Sequence, residues 1–304
     1  HVVLLLCDEG HDIIVLDNLS LGTKEAVDKR AVFIEGSILN KDELIKSLAD
    51  VDAVIHLAAY KSAGESMQNP QKYSENNVLG SMNLLRAMIE ENVKNIIFSS
   101  SAAVYGLPEY LPLDEKHPLK PINHYGYTKL QTEKTIDLYG KEKQIRYINL
   151  RYFNAAGYDA TGRINSMEKN PANLIPSVME VASGKRNKLL IYGNDFETID
   201  GTGVRDYIHV SDLARAHLAA LHLISAQQST TLNLGSEKQY SVMEVIRSAE
   251  KITGKQIPYE IVDRREGDPD KIYASTEKAQ NLLKWSAEAS ELDNIIETTW
   301  RIYK

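Results

Sequence analysis

Short, almost continuously apolar runs alternate along the first half of the chain with longer segments whose apolar residues recur at helical spacing. Such runs are typical of strands buried on both faces, and they lie at residues 12–20, 32–37, 53–59, 95–106 and 145–154. The helical segments between them are residues 41–49, 76–92 and 128–143. Strands and helices that alternate in this order predict βαβ units, and hence an α/β fold with a doubly wound parallel sheet.

The chain opens inside this pattern. Residues 1–11, HVVLLLCDEGH, are typical of a helix that ends at a glycine, Gly10, and Cys7 is expected to be buried in that helix. Because no strand precedes this helix, we expect a first strand upstream of His1 that the sequence does not include.

In the second half, strand and helix patterns alternate less regularly. This part begins after about residue 154 with a stretch rich in glycine and asparagine. Helical patterns follow at residues 175–184, 211–224 and 241–253, and short strand patterns at 189–193, 231–235 and 259–263. No repeat of fixed period is present in the sequence. We therefore expect a smaller second lobe that caps the carboxyl ends of the sheet.

Composition narrows the class of protein. Of the 304 residues, 43% are hydrophobic, and the formal net charge of −7 argues against general affinity for nucleic acids or anionic membranes. The single cysteine excludes an internal disulfide framework. The longest apolar run, residues 2–7, is too short to span a bilayer or to serve as a signal peptide. These features predict a soluble, cytoplasmic protein, in which a nucleotide ligand would need local cations.

Asp17 is the first candidate for ligand binding. In doubly wound sheets ligands bind beyond the carboxyl ends of the strands, and Asp17 follows the apolar run IIVL at such an end. Its carboxylate can accept hydrogen bonds from an adenosine ribose and would repel a 2′-phosphate, which favours NAD over NADP. An aspartate after a strand can equally start a turn. The Gly-rich turn that should cradle the cofactor phosphates is expected upstream of His1.

A tyrosine and a lysine four residues apart form a candidate acid–base pair on one helix face. Tyr125 and Lys129 have this spacing, and so do Tyr139 and Lys143. Only the first pair is accompanied by a strand that ends in serines, of which Ser101 could pass a proton to Tyr125. A neighbouring ammonium and a positive nicotinamide ring are expected to lower the tyrosine pKa toward neutral pH and make a useful base.

Seven segments in order along the chain resemble the extended short-chain dehydrogenase/reductase family, and within it the enzymes that epimerise UDP-hexoses at C4. They are HLAAYKSAGES, NNVLGS, FSSSAAVYG, YGYTK, LRYFNAAG, GNDFETIDGTGVRDYIHVSDLA and RREGD. The resemblance implies a Rossmann-type NAD-binding domain at residues 1–154. It implies a lobe that mainly binds the UDP-sugar at residues 155–304, with segments of about 206–225 returning to the first domain.

The resemblance implies tightly bound NAD, and no metal is expected. Asp17 and Asn18 would hold the adenosine ribose and Ile38 would flank the adenine. Lys61, which could be an ordinary solvated lysine, follows a buried strand and is therefore placed at the cofactor; His56 in that strand is expected to be a core residue. The full cofactor set is Asp17, Asn18, Ser37, Ile38, Leu57, Ala58, Ala59, Lys61, Asn77, Tyr125, Lys129 and Tyr152.

On the substrate side the resemblance places Ser101 and Tyr125 at the sugar 4-hydroxyl. Arg205 and Arg265 would clamp the diphosphate, because a guanidinium is a planar and permanently charged donor; surface salt bridges to Asp206 or Glu266 are the alternative. Asn173 could instead cap a turn. The full substrate set is Lys61, Ser101, Tyr125, Asn154, Asn173, Leu174, Tyr192, Arg205, Tyr207, Arg265, Asp268 and Ile272.

The implied reaction is a reversible 4-epimerisation of UDP-glucose and UDP-galactose through a 4-keto sugar. Dehydratases on the same scaffold carry an acidic pair after the serine, where this chain has Ala102 and Ala103, and methyl groups cannot move protons. The missing glutamate also disfavours a decarboxylase. A nucleotide sensor that has lost its chemistry would have no reason to keep Ser101, Tyr125 and Lys129 together.

Two positions depart from the family pattern. Ser37 replaces an aspartate that is usual near the adenine amine, so that contact is expected to be weaker or to use the hydroxyl. Ile272 replaces either a bulky tyrosine, which excludes N-acetylated sugars, or a small residue, which admits them. UDP-N-acetylglucosamine 4-epimerisation therefore stays open as an alternative.

The helical segments at 76–92 and 124–140 carry more apolar positions than one sheet face requires. Family members pair these helices in a dimer, and packing on the sheet is the alternative. We expect a homodimer.

Overall fold

A computed structural model describes residues 1–168, 171–226, 229–265 and 267–304. Its strands are β1 Ile14–Asp17, β2 Val32–Glu35, β3 Ala53–His56, β4 Asn95–Ser101, β5 Arg146–Tyr152, β6 Asn154–Ala156, β7 Leu189–Tyr192, β8 Val204–Arg205, β9 Tyr207–His209, β10 Thr230–Leu234, β11 Tyr240–Ser241, β12 Tyr259–Val262 and β13 Lys271–Ile272. Its helices are α1 Val2–Asp8, α2 Lys41–Leu48, α3 Ala63–Gln68, α4 Pro70–Tyr73, α5 Gly80–Glu90, α6 His124–Lys143, α7 Leu174–Ala182, α8 Val210–Ser225, α9 Val242–Thr253, α10 Glu277–Leu283 and α11 Leu292–Tyr303.

The main sheet has the strand order β10-β5-β4-β3, and all of its pairs are parallel. Apolar side chains on one face of β4 and β5, such as Ile97 and Ile148, pack with α8 and α10; those on the other face, such as Ile96, pack with α2, α5 and α6. Burial on both faces explains why these strands are almost continuously apolar. Strand β10 comes from the second half of the sequence, where the pattern alone had placed it in the smaller lobe.

Strands β1 and β2 form a separate parallel pair that is not hydrogen-bonded to the main sheet. The expectation that all five apolar runs are buried on both faces is wrong here, because Ile14 is 39% exposed and Val32 59% exposed. These side chains lie on a two-stranded ribbon with little cover. The pair nevertheless carries Asp17 at its carboxyl end, in register with Glu35.

Helix α1 ends as the sequence predicts, with Gly10 in the left-handed region at φ +81°. It packs against α8 through Leu4 and Leu6, which are buried. Cys7 is only partly buried, contrary to expectation, because it follows Leu6 at the rim of this contact.

The segment predicted as one helix at 76–92 consists of two parts: a π-helical turn at residues 74–79 leads into α5. Asn77 is buried in the π-helical turn. Wide turns of this kind are frequent at functional sites, because they change the direction of a side chain within a continuous helix.

The second half builds its own apolar core from α7, α9, α11 and the parallel pair β7-β12. A small mixed sheet with the order β11-β8-β13, and the pair β6-β9, join this part to the ends of the main sheet. Helices α8 and α10 pack on the main sheet. The division into a cofactor domain and a substrate lobe stays a prediction. In the described ranges, no helix combines the length and apolarity that a membrane crossing would require.

Candidate active site

Ser101 and Tyr152 lie side by side where β4 and β5 end, since the two residues are in register. Ser101 leaves the strand in extended conformation, and its hydroxyl accepts a hydrogen bond from the backbone N–H of Ala103 at 3.1 Å. This bond caps a short 3₁₀ turn at residues 102–104. The strand end therefore presents a serine hydroxyl that is already oriented by its own chain.

The first turn of α6 places Tyr125 against this strand end. Asn123 caps the helix by accepting a hydrogen bond from Gly126 N at 2.8 Å, and Ser66 on α3 accepts one from Tyr125 N at 3.0 Å. Gly126 allows the close approach, because a Cβ there would lie 2.4 Å from the carbonyl oxygen of Ala103. Only glycine lets the helix sit this close to the turn after Ser101.

Lys129 follows Tyr125 by one helical turn and is 5% exposed. Its ammonium donates a hydrogen bond to the carbonyl oxygen of Ser99 at 2.7 Å, and it lies 5.9 Å from the centre of the Tyr125 ring. Burial lowers the pKa of Lys129 to about 8, and Glu133 opposes this effect. The ammonium thus stands beneath the phenol with its charge poorly solvated.

Burial raises the pKa of the Tyr125 phenol above its ordinary value. The neighbouring phenol of Tyr152 adds to the increase, and the Ser101 hydroxyl opposes it. Desolvation of the phenol therefore outweighs the effect of the Lys129 ammonium, which is turned to the Ser99 carbonyl. The lowering of this pKa by the ammonium together with a positive nicotinamide ring stays a prediction. Ionisation of the phenol near neutral pH requires further positive charge beside it.

The rival pair occupies the other end of α6. Tyr139 packs partly buried against the core beside the sheet, and Lys143 is exposed in the last turn of the helix. Neither residue is at the carboxyl ends of the strands, so the structure brings together the first pair with a serine and not the second.

On the proposed cofactor side, Asp17 and Asn18 both stabilise the turn that follows β1. Asp17 Oδ1 accepts a hydrogen bond from Leu19 N at 2.7 Å, and Asn18 Oδ1 accepts one from Ser20 N at 3.1 Å. The turn-forming role considered for Asp17 is therefore real. Asp17 is also exposed at the strand end, so its carboxylate can accept a hydrogen bond from a ligand as well.

Ser37 and Ile38 are engaged by the protein itself. Ser37 N donates to the Glu43 carboxylate at 2.6 Å, and the Ser37 hydroxyl accepts from Leu39 N at 3.2 Å. Ile38 is 7% exposed and packs against Gly80, where a Cβ would lie 2.5 Å from its terminal methyl. Their roles near an adenine stay predictions.

The loop after β3 is pinned by Asn77, whose side chain accepts from Tyr60 N and donates to Tyr60 O, both at 2.9 Å, and donates to Thr128 at 3.2 Å. Both ends of the Asn77 side-chain amide are thus hydrogen-bonded within the protein and fix the loop. A contact of Asn77 with the cofactor stays a prediction. The loop exposes Leu57, at 48%, and Ala58, with Ala59 half-buried. Lys61 forms a 2.7 Å ion pair with Glu168, and its role at the cofactor stays a prediction.

These residues fit a dinucleotide. An exposed carboxylate, Asp17, stands at one end of the carboxyl edge, and exposed apolar side chains at Leu57 and Ala58 follow β3. A buried ammonium, Lys129, lies beside β4, where the carbonyl oxygen of Ser99 is its single acceptor among the described residues. A carboxylate partner for the adenosine ribose is one of the groups that a dinucleotide site requires, and an apolar platform and a cation suit the nicotinamide end.

A cavity of about 550 Å³ opens next to this edge and is lined by eight residues of the predicted substrate set. Arg265 stacks on Tyr192 with its guanidinium carbon 3.8 Å from the ring centre. Asn173 is at the N-cap of α7 but makes no capping bond, so its amide is free for another partner in the described structure. Of the predicted residues, the cavity is lined by Asn154, Asn173, Leu174, Tyr192, Arg205, Tyr207, Arg265 and Asp268.

A second cavity of about 210 Å³ lies between the first one and the strand ends. Its wall includes Ser101, Tyr152 and Ile272. Both cavities share Asn154, Arg205 and Asp268, so these residues mark their junction.

Arg205 is held at this junction by its Nη1, which donates to the carbonyl oxygens of Val204 and Pro269, both at 2.9 Å. Its Nη2 is 3.9 Å from Asp268. Asp206, considered as its salt-bridge partner, instead accepts bonds from Ser236 and Ala274. Glu266 lies outside the described residues.

Sequence reasoning missed the residues that support the site. Ser66 holds the backbone of Tyr125, and the carbonyl of Ser99 holds Lys129. Glu133, one turn beyond Lys129, is buried with Arg151. The sequence shows that Glu133 follows Lys129 by four residues, but it does not show the ion pair of Glu133 with Arg151 on β5. Arg186, in a basic run after α7, also lines the larger cavity, where it is paired with Glu180 at 2.6 Å.

Comparison with known proteins gives a consistent result. The profile of the NAD dependent epimerase/dehydratase family matches residues 1–235. The chain is 44% identical to a UDP-glucose 4-epimerase of Lactobacillus helveticus, over 100% of this chain and 93% of the relative. Among solved structures, UDP-glucose 4-epimerase from Brucella ovis in complex with NAD is similar with a TM-score of 0.97 and 40% identity, covering 100% of this chain and 94% of that one.

A further solved structure, UDP-glucose 4-epimerase from Bifidobacterium longum in complex with NAD⁺ and UDP, is 37% identical with a TM-score of 0.94. The similarity covers 99% of this chain and 93% of that chain.

Proposed function

Since this chain belongs to the NAD dependent epimerase/dehydratase family, we propose that it is an NAD-dependent isomerase that inverts C4 of UDP-glucose and UDP-galactose. The observation that carries the proposal is the convergence of Ser101, Tyr125 and Lys129 at the carboxyl end of β4, beside two joined cavities lined by arginines. Each of these groups has a task in the oxidation and reduction of a sugar alcohol.

The two cavities divide the substrate between them. The larger one has room and cations for the uridine and the diphosphate, and the smaller one, at Ser101, holds the hexose. Arg205 lies at the junction, where its remaining N–H groups can bind the diphosphate with Arg265. Anchored there, the sugar can turn and offer either face to the strand ends.

In the chemical step, Tyr125 in its phenolate form takes the proton of the 4-hydroxyl, directly or through Ser101. NAD held by Asp17 and Lys129 would supply the acceptor for the C4 hydride and, later, its source. Lys129 provides positive charge that stabilises the phenolate and a donor for the ribose hydroxyls. After the 4-keto sugar has turned, Tyr125 gives its proton back to the oxygen, and C4 is inverted.

The test is the conversion of UDP-galactose to UDP-glucose by the purified protein, measured by NMR with and without added NAD. Tyr125→Phe should lower turnover by about 10² to 10⁴-fold while NAD binding is kept, since it removes only the proton carrier. Tyr139→Phe is the matched control, because it has the same spacing to a lysine on the same helix, and it should keep full turnover. Absence of UDP-glucose in the presence of NAD, or equal turnover in the two variants, would refute the proposal.

UDP-N-acetylhexosamine is a second candidate substrate. Ile272 lines the smaller cavity and is of intermediate size, so it leaves more room than a tyrosine would. Incubation with UDP-N-acetylgalactosamine in the same assay tests this activity; no change at C4 would exclude it.

We also propose a homodimer, with a cytoplasmic location as predicted from composition. The support is a set of exposed apolar side chains on the π-helical turn before α5 and on α6: Leu79, Tyr127 and Leu138. Tyr127 and Leu138 are eleven residues apart and therefore share one helix face. Sedimentation should give twice the chain mass, and Leu138→Glu should give single chains; a wild-type protein of single-chain mass would refute the dimer.

A further inference from the structure

A cluster of three charged side chains is buried behind the strand end that carries Ser101. Lys129 and Glu133 come from α6 and Arg151 comes from β5, and each of them is 5% exposed. Buried charges are costly unless they are paired, so the way in which these three pair decides the electrostatic potential at the site.

Glu133 is fully committed to Arg151 and Ser100. Arg151 donates to both carboxylate oxygens, from Nε at 2.9 Å and from Nη2 at 2.6 Å, and Ser100 Oγ donates at 2.5 Å. Arg151 Nη1 is in turn held by the Tyr105 hydroxyl at 3.1 Å, and that hydroxyl donates to Asn233 at 2.6 Å. Bidentate geometry of this kind makes the strongest and most directional ion pair available to a carboxylate.

Lys129 is left outside this pair. It precedes Glu133 by four residues, the spacing at which a lysine and a glutamate on one helix normally meet. Within the described residues, however, no carboxylate lies within 4.0 Å of its Nζ, whose acceptor is the Ser99 carbonyl. The cluster therefore carries one uncompensated positive charge, and that charge is on the residue next to Tyr125.

The buried histidines and tyrosines around the cluster are neutral at physiological pH, and the carboxylates beside them include Glu115 and Asp137, the second of which accepts a hydrogen bond from Tyr147 at 2.8 Å. Burial lowers the pKa of His56 on β3 to about 3 and that of His217 on α8 to about 4. Burial raises the pKa of Tyr73, Tyr105 and Tyr147 to about 12, and it raises that of Tyr152 as well. Glu115 is at the far end of the network, where it accepts from Asn233 N at 2.7 Å.

We propose that Arg151 is a positioning residue that holds the Glu133 carboxylate away from Lys129, so that the lysine's positive charge is left to act on Tyr125. Without Arg151, Glu133 would turn to Lys129, and the phenol would face a neutral ion pair. This inference rests on the proposed function for its catalytic meaning, but the electrostatic statement can be measured independently.

Charge counting gives opposite predictions for two single variants. In Arg151→Met the cluster loses one positive charge, so the pKa of Tyr125 should rise by about one unit; in Glu133→Gln it gains one, so this pKa should fall by a similar amount. The double variant restores the wild-type sum and should restore the wild-type pKa. Arg151→Lys keeps the charge and should also resemble the wild type in this respect.

The measurement is a spectroscopic titration of phenolate absorbance in each variant with NAD bound. The titration of the same variant carrying Tyr125→Phe is subtracted. The pH profile of kcat is recorded in parallel, and its acidic limb should move with the phenol. A purely structural role would lower activity or thermal stability in both single variants without opposite shifts and without recovery in the double variant. That result, or an unshifted Tyr125 in Arg151→Met, would overturn the inference.

The two proposals fail in different ways. A protein without epimerase activity that still shows the opposite phenolate shifts would refute the function and keep the electrostatic role of Arg151. An active epimerase in which the phenolate titrations are unshifted would support the function and refute the electrostatic role of Arg151. Near-UV circular dichroism would reveal whether Arg151→Met folds. If it does not, Glu133→Gln and the double variant, which has the same net charge as the wild type, still decide the question. A buried ion pair can often be replaced by neutral side chains without loss of the fold.

Discussion

Replacing Gly126 by alanine tests whether the position of Tyr125 depends on the close contact between α6 and the turn after Ser101. The new Cβ would lie 2.4 Å from the Ala103 carbonyl oxygen and 3.1 Å from Pro121 Cβ. Ordinary carbon–oxygen contacts are roughly 3.3 to 3.6 Å, so the helix must retreat by about 1 Å. The Ala103 oxygen is a backbone atom and Pro121 Cβ belongs to a closed ring, so no side-chain rotation can relieve the overlap.

A displacement of this size at a catalytic group lowers turnover by about 10²-fold, and overpacking of this kind costs about 1 to 3 kcal/mol of stability. Turnover of UDP-galactose and urea unfolding measure the two effects. Gly64→Ala in α3 is the matched control, because its Cβ meets nothing within 4 Å; it should leave turnover intact and stabilise by up to about 1 kcal/mol. A Gly126→Ala protein with wild-type turnover and unchanged unfolding would refute the contact.

Two further predictions concern the sugar cavity and pH. Ile272→Tyr should lower turnover of UDP-N-acetylgalactosamine by about tenfold or more while UDP-galactose is little affected, because it fills the smaller cavity; equal losses would argue against sugar selection there. Burial lowers the pKa of His217 from 6.5 to about 4. Between these two pH values the unfolded chain binds more protons than the folded one, so the free energy of unfolding falls on acidification. His217→Gln should reduce this slope by at most about 1.4 kcal/mol per pH unit in urea titrations; an unchanged slope would contradict the assignment.

The periodicity of apolar residues was sufficient to predict the strands of the main sheet and the longer helices between them, α2, α5 and α6, but not the short helices α3 and α4. Strands such as β4 and β5 are apolar along their length because they are covered on both faces, and α6 is bounded by a capping asparagine, Asn123, that the local sequence supplies. Sheet order is not a local property. The pattern therefore could not show that β10 pairs with β5, or that β1 and β2 form a separate pair with Val32 exposed.

At the candidate site the sequence determined which chemical groups are available: a serine at a strand end, a tyrosine and a lysine one helical turn apart, and arginines far along the chain. Only the tertiary structure decided their electrostatic state. Burial raises the pKa of Tyr125, an effect that spacing cannot reveal, and Arg151 takes the carboxylate that helical spacing would have given to Lys129. The reason is physical: spacing fixes which side chains can meet, whereas solvation and competition among partners depend on every element that packs around them.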